Sequence, residues 1–74
     1  MTNTSLDVQP QANRIHDLTR RVRAEYGEMP GLSVTMPQAQ RLWGIDRPTC
    51  ALVFKTLVNQ GVLRRTVQGR YVRA

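Results

Sequence analysis

Residues 35–60 read TMPQAQRLWGIDRPTCALVFKTLVNQ, two helical segments separated by a glycine-containing turn. Thr35 stands three residues before Gln38. At that spacing the hydroxyl and the amide each take a backbone N–H of the other residue, the reciprocal capping box that opens a helix. Met36, Ala39 and Trp43 then fall on one face. Gly44 ends the segment, because it adopts a positive φ without a Cβ penalty. Ile45 is an apolar plug, and Asp46 is the expected N-cap of the next helix. Pro48 suits that helix's first turn, where its missing N–H costs nothing. The helix is expected to run to about residue 60, with Gly61 as its stop and Cys50, Val53, Phe54 and Leu57 as its inner stripe.

The flanks extend this pattern. Ile15, Leu18, Val22 and Tyr26 make one apolar stripe, which predicts a first helix over residues 10–26 with Pro10 in its first turn and Gly27 as its stop. Asp17 and Arg21 are spaced as an i, i+4 ion pair. Residues 1–9 have no periodicity and read as a flexible arm, which leaves 10–74 as the domain. EMPGLS is a loop, after which Leu32 and Val34 alternate around Ser33 as a very short strand. Residues 62–66 and 70–72 are β-prone and Gln68-Gly69 supplies a turn, so the tail reads as a hairpin. Two registers are open: a two-residue turn pairs Val67 with Arg70, and a three-residue loop pairs Thr66 with Arg70.

Length and composition bound the function. Seventy-four residues make one domain with a small core, which argues against a deep-pocketed enzyme. One histidine, one cysteine and five acids provide no nucleophile with its base and no ligand cluster, so neither an enzyme nor a metal or cofactor site is expected. Cys50 has no partner in the chain and reads as a buried small hydrophobe. No run approaches roughly 18 apolar residues, and residues 1–13 lack the features of a signal peptide, so the expected compartment is the cytoplasm. The net charge is +6, and ten of the eleven basic residues are arginine. Residues 61–74 hold four arginines and no acid, which suits a polyanion. Arginine favours bidentate contact with phosphate and guanine. RNA is disfavoured because the few aromatics are needed in the core, and a membrane surface because the basic end reads as strands.

The run PQAQRLWGIDRPTCALVFKTLVNQGVLRR followed by QGRYVR resembles the winged helix-turn-helix domains of bacterial transcription regulators. The resemblance covers residues 12–73. Ala39, Trp43, Ile45, Cys50 and Val53 stand where that family has apolar residues, and Gly44 where it has glycine. Gln40 departs from the small residue usual after Ala39. The resemblance implies an α+β, mainly α fold: a three-helix winged helix-turn-helix with a C-terminal β-hairpin wing. It also implies sequence-specific binding of double-stranded DNA, in transcription regulation on the nucleoid. The helix over 47–60 would enter the major groove, and the wing over 63–72 would touch the backbone or minor groove.

On a helical wheel the outer face of that helix holds Pro48, Leu52, Lys55 and Asn59, flanked by Ala51, Thr49 and Thr56. Base contacts are expected from Arg47, Thr49, Ala51, Leu52 and Lys55, with Pro48 on the same surface. Phosphate contacts are expected from Arg64, Arg65, Arg70 and Arg73, and from N–H groups at the starts of the second and third helices. Leu52 serves either a thymine methyl or a protein partner. The competing function is therefore a winged-helix protein-interaction module using the Leu52 face, since one scaffold hosts both uses. A homodimer would use the first helix or the arm. Trp43 is expected in the core with its N–H near a polar partner, Met29 and Met36 as packing residues, and Arg14, Arg20, Arg21 and Arg23 as a solvated face.

Overall fold

The computed structural model describes residues 10–74; the expected arm over 1–9 lies outside them. The elements run α1 (Pro10–Glu28), β1 (Ser33–Thr35), α2 (Met36–Trp43), α3 (Arg47–Asn59), β2 (Leu63–Arg65) and β3 (Arg70–Arg73). The strands form one antiparallel sheet in the order β1-β3-β2. The fold of the described residues is α+β, mainly α: three helices and a three-stranded antiparallel sheet, consistent with a winged-helix-like layout. No helix among the described residues is long and apolar enough to cross a membrane.

The apolar stripe of α1 is buried at Val22 and Tyr26 and packs against the core at Ile15 and Leu18. Gly27 does not stop this helix. It lies inside α1 without a positive φ, and the Met29 N–H still reaches the Glu25 carbonyl at 2.9 Å. Pro30 sets the end instead, because proline disfavours helical backbone in the residue before it. Met29 is left 48% exposed and is not a core residue, whereas Met36 packs against the core. Arg21 pairs with Glu25 at 3.7 Å rather than with Asp17.

Both ends of α2 form as the local chemistry dictates. The Gln38 N–H donates to Thr35 Oγ1 at 3.3 Å, and the Thr35 N–H donates to Gln38 Oε1 at 2.9 Å. Gly44 has a φ of 64°, and the N–H groups of Gly44 and Ile45 both close on the Gln40 carbonyl. Gln40 itself is half-buried, so the departure from a small residue is accommodated at the edge of the helix contact. Asp46 occupies the N-cap position of α3 with extended backbone, but its side chain makes no capping bond. An N-cap oxygen normally takes the N–H of the second or third helical residue, and here the second is Pro48, which has none. At the other end Gly61, with a φ of 77°, donates to the Val58 carbonyl, and Val62 donates to that of Leu57, both at 3.0 Å. This pair of bonds is a Schellman closure.

The hairpin register is the three-residue alternative. Leu63 faces Arg73, Arg64 faces Val72 and Arg65 faces Tyr71. The Thr66 N–H meets the Arg70 carbonyl at 2.8 Å, and Gly69, with a φ of 81°, returns its N–H to the Thr66 carbonyl at 2.9 Å. A type I turn ending in a left-handed glycine is the usual three-residue hairpin loop. β1 adds to the other side of β3, with Val34 opposite Tyr71.

Cys50, Val53, Phe54 and Leu57 are fully buried, joined by Val22, Tyr26, Val34, Ala39, Trp43, Ile45 and Leu63. The Phe54 ring lies 5.9 Å from that of Trp43 and meets Tyr71 edge-on at 4.9 Å. Tyr26 Oη donates to the Tyr71 carbonyl at 2.7 Å, tying α1 to the middle strand. Trp43 Nε1, expected to find a polar partner, has none. Its desolvation costs roughly 1–3 kcal/mol, which the burial of the large indole ring offsets. Burial pushes the Tyr26 phenol up to about 12, with Cys50 adding to the effect. Burial also pushes the Cys50 thiol up to about 11, helped by the Asp46 carboxylate.

The left-handed turn at Gly44 and the raised Tyr26 and Cys50 pKa values each have a measurable consequence. A Cβ at Gly44 meets nothing within 4 Å, so Gly44→Val is penalised by the backbone alone. It should cost roughly 1–3 kcal/mol in urea denaturation, and Gly44→Asn much less, since asparagine tolerates positive φ; equal stability of all three proteins would contradict the left-handed turn. The second concerns alkaline pH. Both raised groups stay protonated in the fold after their ordinary values, 9.0 for Cys50 and 10.0 for Tyr26, have been passed in the unfolded chain. Their stabilisation is complete below those values and is lost as pH rises to about 11 and about 12. The denaturation midpoint should fall from pH 9 upward, and Cys50→Ala should delay the onset by about one pH unit. A flat profile over that range contradicts the assignment.

Candidate nucleic-acid interface

Because Cys50, Val53, Phe54 and Leu57 commit one side of α3 inward, the opposite face is set by the 3.6-residue repeat. Arg47, Pro48, Ala51, Leu52, Lys55 and Asn59 are all exposed, as expected. Thr49 is not: it is 8% exposed and stands one turn before Val53, in the same buried row. Its expected base contact is therefore withdrawn. Its backbone N–H is another matter, since the first bond to the Asp46 carbonyl comes from Cys50 at 2.9 Å. The start of α3 thus presents donors that its own helix does not use. The start of α2 presents fewer, because Thr35 already takes the Gln38 N–H and Pro37 has none.

Leu52 is 52% exposed, but on the flank of α3 turned toward α1. With Thr56 and Gln60 it forms one wall of a shallow groove of about 560 Å³; the other wall is Ile15, His16, Thr19, Arg20 and Arg23. Both threonine hydroxyl protons are spent inside their helices, Thr19 on the Ile15 carbonyl at 2.7 Å and Thr56 on that of Leu52 at 2.8 Å.

The register sorts the four tail arginines, which the sequence treats alike. Residues directly opposite in an antiparallel pair share a face. Arg65 therefore lies on the side of Leu63 and Tyr71, and Arg64 on the side of Val72. Both are exposed and adjoin the loop, where Val67 is 99% exposed. Arg70 departs from its expected role. Its Nε donates to Ser33 Oγ at 2.8 Å and its Nη2 to the Ser33 carbonyl at 3.1 Å, so its guanidinium clamps β3 to β1. Arg73 is exposed but stands apart from the hairpin loop. It pairs with Leu63, about 10 Å along the strand from Arg70, and lines a recess with Arg23, Tyr26, Gly27, Gly61 and Val62. That is the end of the sheet away from the hairpin loop.

Four of the cations are exposed on α3 and the hairpin that follows it: Arg47 and Lys55 on α3, and Arg64 and Arg65 on the two faces of β2. Asp46 is the sole acid in residues 29–74, against seven basic residues. Among the described residues the ion pair of Arg21 and Glu25 is the only one, so none of the four is neutralised by a carboxylate. No group of metal-ligating side chains occurs among the described residues. The sequence reading missed the exposed loop residue Val67 and the half-exposed Leu42 on α2. The three-residue loop length was the signal for the first, since it puts Val67 outside the strand. Comparison with protein-family models, with curated proteins and with solved structures returned no match.

The division of the arginines is testable by folding alone. Arg70→Ala should lower stability by roughly 1 kcal/mol, from the lost bonds to Ser33. Arg64→Ala should change it by less than about 0.5 kcal/mol, as an exposed substitution does. The reverse order in urea denaturation would contradict the clamp.

Proposed function

We propose that this chain binds double-stranded DNA sequence-selectively and acts as a transcription regulator of the winged helix-turn-helix kind. The observation that carries this reading is the set of exposed cations without a carboxylate partner, Arg47 and Lys55 on α3 and Arg64 and Arg65 on the hairpin that follows it. A helix with its side chains is about 10–12 Å across, and the major groove is about 12 Å wide. In this reading α3 lies in the groove. Arg47 at its first turn suits guanine O6 and N7, Lys55 reaches a base acceptor, and Ala51 leaves room for a thymine methyl. Arg64 and Arg65 hold phosphates, which supply affinity without sequence information. A cytoplasmic, nucleoid-associated location belongs to the same reading. One observation favours the protein-interaction alternative: Leu52 stands half-exposed across the groove from Ile15.

The deciding experiment is a salt titration of duplex binding. The wild-type chain should bind a mixed-sequence duplex at low salt and lose affinity steeply as salt rises. Arg64→Ala/Arg65→Ala should flatten the slope of log K against log salt by up to about 1.8, at about 0.9 per lost phosphate contact, with folding unchanged. Lys55→Ala should relax preference at one position of a selected site and leave the slope less affected. A wild-type chain that binds no duplex at low salt, while Leu52→Ala abolishes a protein complex, would transfer the function to the alternative.

A further inference from the structure

We infer that α1 carries a second phosphate-binding edge, made by Arg20 and Arg23, which grips the DNA strand on the side of α3 away from the hairpin. This inference rests on the DNA-binding reading. His16, Arg20 and Arg23 stand at i, i+4 and i+7 and so share one flank of α1. That flank is the one facing Leu52, Thr56 and Gln60 across the groove. Phe54 and Tyr71 bring the sheet against α3 through a different part of its surface. The outer face of α3 is thus bordered by α1 along one side and by the hairpin along the other.

A helix seated in the major groove has a sugar–phosphate strand on each side of it. The hairpin arginines serve one strand. Arg20 and Arg23 stand where the other passes, about 4.5 Å apart along the helix axis. Arg73, displaced from the hairpin loop, shares a recess with Arg23 and prolongs the same edge. Asp17 lies beside Arg20 and Arg23 on the adjoining surface of α1 but not on the groove facing α3, and it forms no ion pair with either; Glu25 is engaged by Arg21. The threonine hydroxyls of the groove offer no proton to a phosphate, because both are spent on helix carbonyls. The guanidinium groups and the His16 ring therefore carry the polar contact, while Ile15 and Leu52 face the apolar edge of a deoxyribose.

Phosphate-ethylation interference on a selected duplex, with a salt titration, tests the inference. The wild-type chain should give two clusters of interference, one on each strand bordering the same major groove. Arg20→Gln/Arg23→Gln should erase one cluster and lower the salt slope by up to about 1.8. Arg20→Lys/Arg23→Lys should keep the slope, because lysine preserves the charge. Arg64→Ala/Arg65→Ala should erase the other cluster instead. Both α1 positions are exposed, so thermal unfolding should be unchanged in either variant. If the hairpin variant acts and Arg20→Gln/Arg23→Gln leaves both clusters and the slope intact, the α1 edge is overturned while the DNA-binding reading stands. If the wild-type chain shows no duplex binding, that reading falls and the inference with it.

Discussion

Phe54 holds three elements at once. It sits on the inner stripe of α3, its ring meets Trp43 of α2 at 5.9 Å, and it meets Tyr71 of β3 at 4.9 Å. Tyr71 in turn accepts the Tyr26 hydroxyl of α1 through its carbonyl. Each helix and the central strand are therefore joined by one run of aromatic contacts and a single buried hydrogen bond. A domain this small buries about 60% of its unfolded surface, so few contacts carry its stability.

The same constraint produces the candidate site. With α1, α2 and the sheet all packed on one side of α3, its other side is left to solvent. The left-handed Gly44 turns the chain from α2 into α3, and the Gly61 closure sends it from α3 straight into the hairpin. These two turns decide which residues of α3 border α1 and which border the sheet. Arg70 adds a polar clamp across the sheet, so the hairpin that carries Arg64 and Arg65 is braced against β1 at Ser33. Binding groups on braced elements lose less conformational entropy when a ligand is bound.

The fold was legible because local rules agreed with one another. The Thr35 and Gln38 box, the glycine after Trp43 and the stripe from Cys50 to Leu57 each point to the same two helices, and all three form. The misreadings share a cause: each residue's role is decided by a non-local partner or by a neighbour in the chain. Gly27 reads as a stop, yet Pro30 supplies one. Asp46 reads as a cap, but Pro48 removes a donor it would use. Trp43 buries its N–H without a partner. Thr49 lies at the margin of the wheel, where a small rotation separates the flank from the core. The four tail arginines look alike until the strand register puts Arg64 and Arg70 on one face and Arg65 and Arg73 on the other, because a one-residue change in pairing moves every side chain to the opposite face. Arg20 and Arg23 are exposed, as a solvated face requires, and only the packing shows that Leu52 stands across a groove from them.

The central claim is that the solvent face of α3 and the hairpin form one surface for duplex DNA. It is tested most directly by mapping backbone amide shifts as a duplex is added at low salt. The account predicts shifts concentrated at Arg47, Ala51, Lys55 and Asn59 and through residues 64–68, with Asp17 and Arg21 on the outer side of α1 unmoved. Shifts confined to the outer side of α1, or no shifts at all under those conditions, would contradict it.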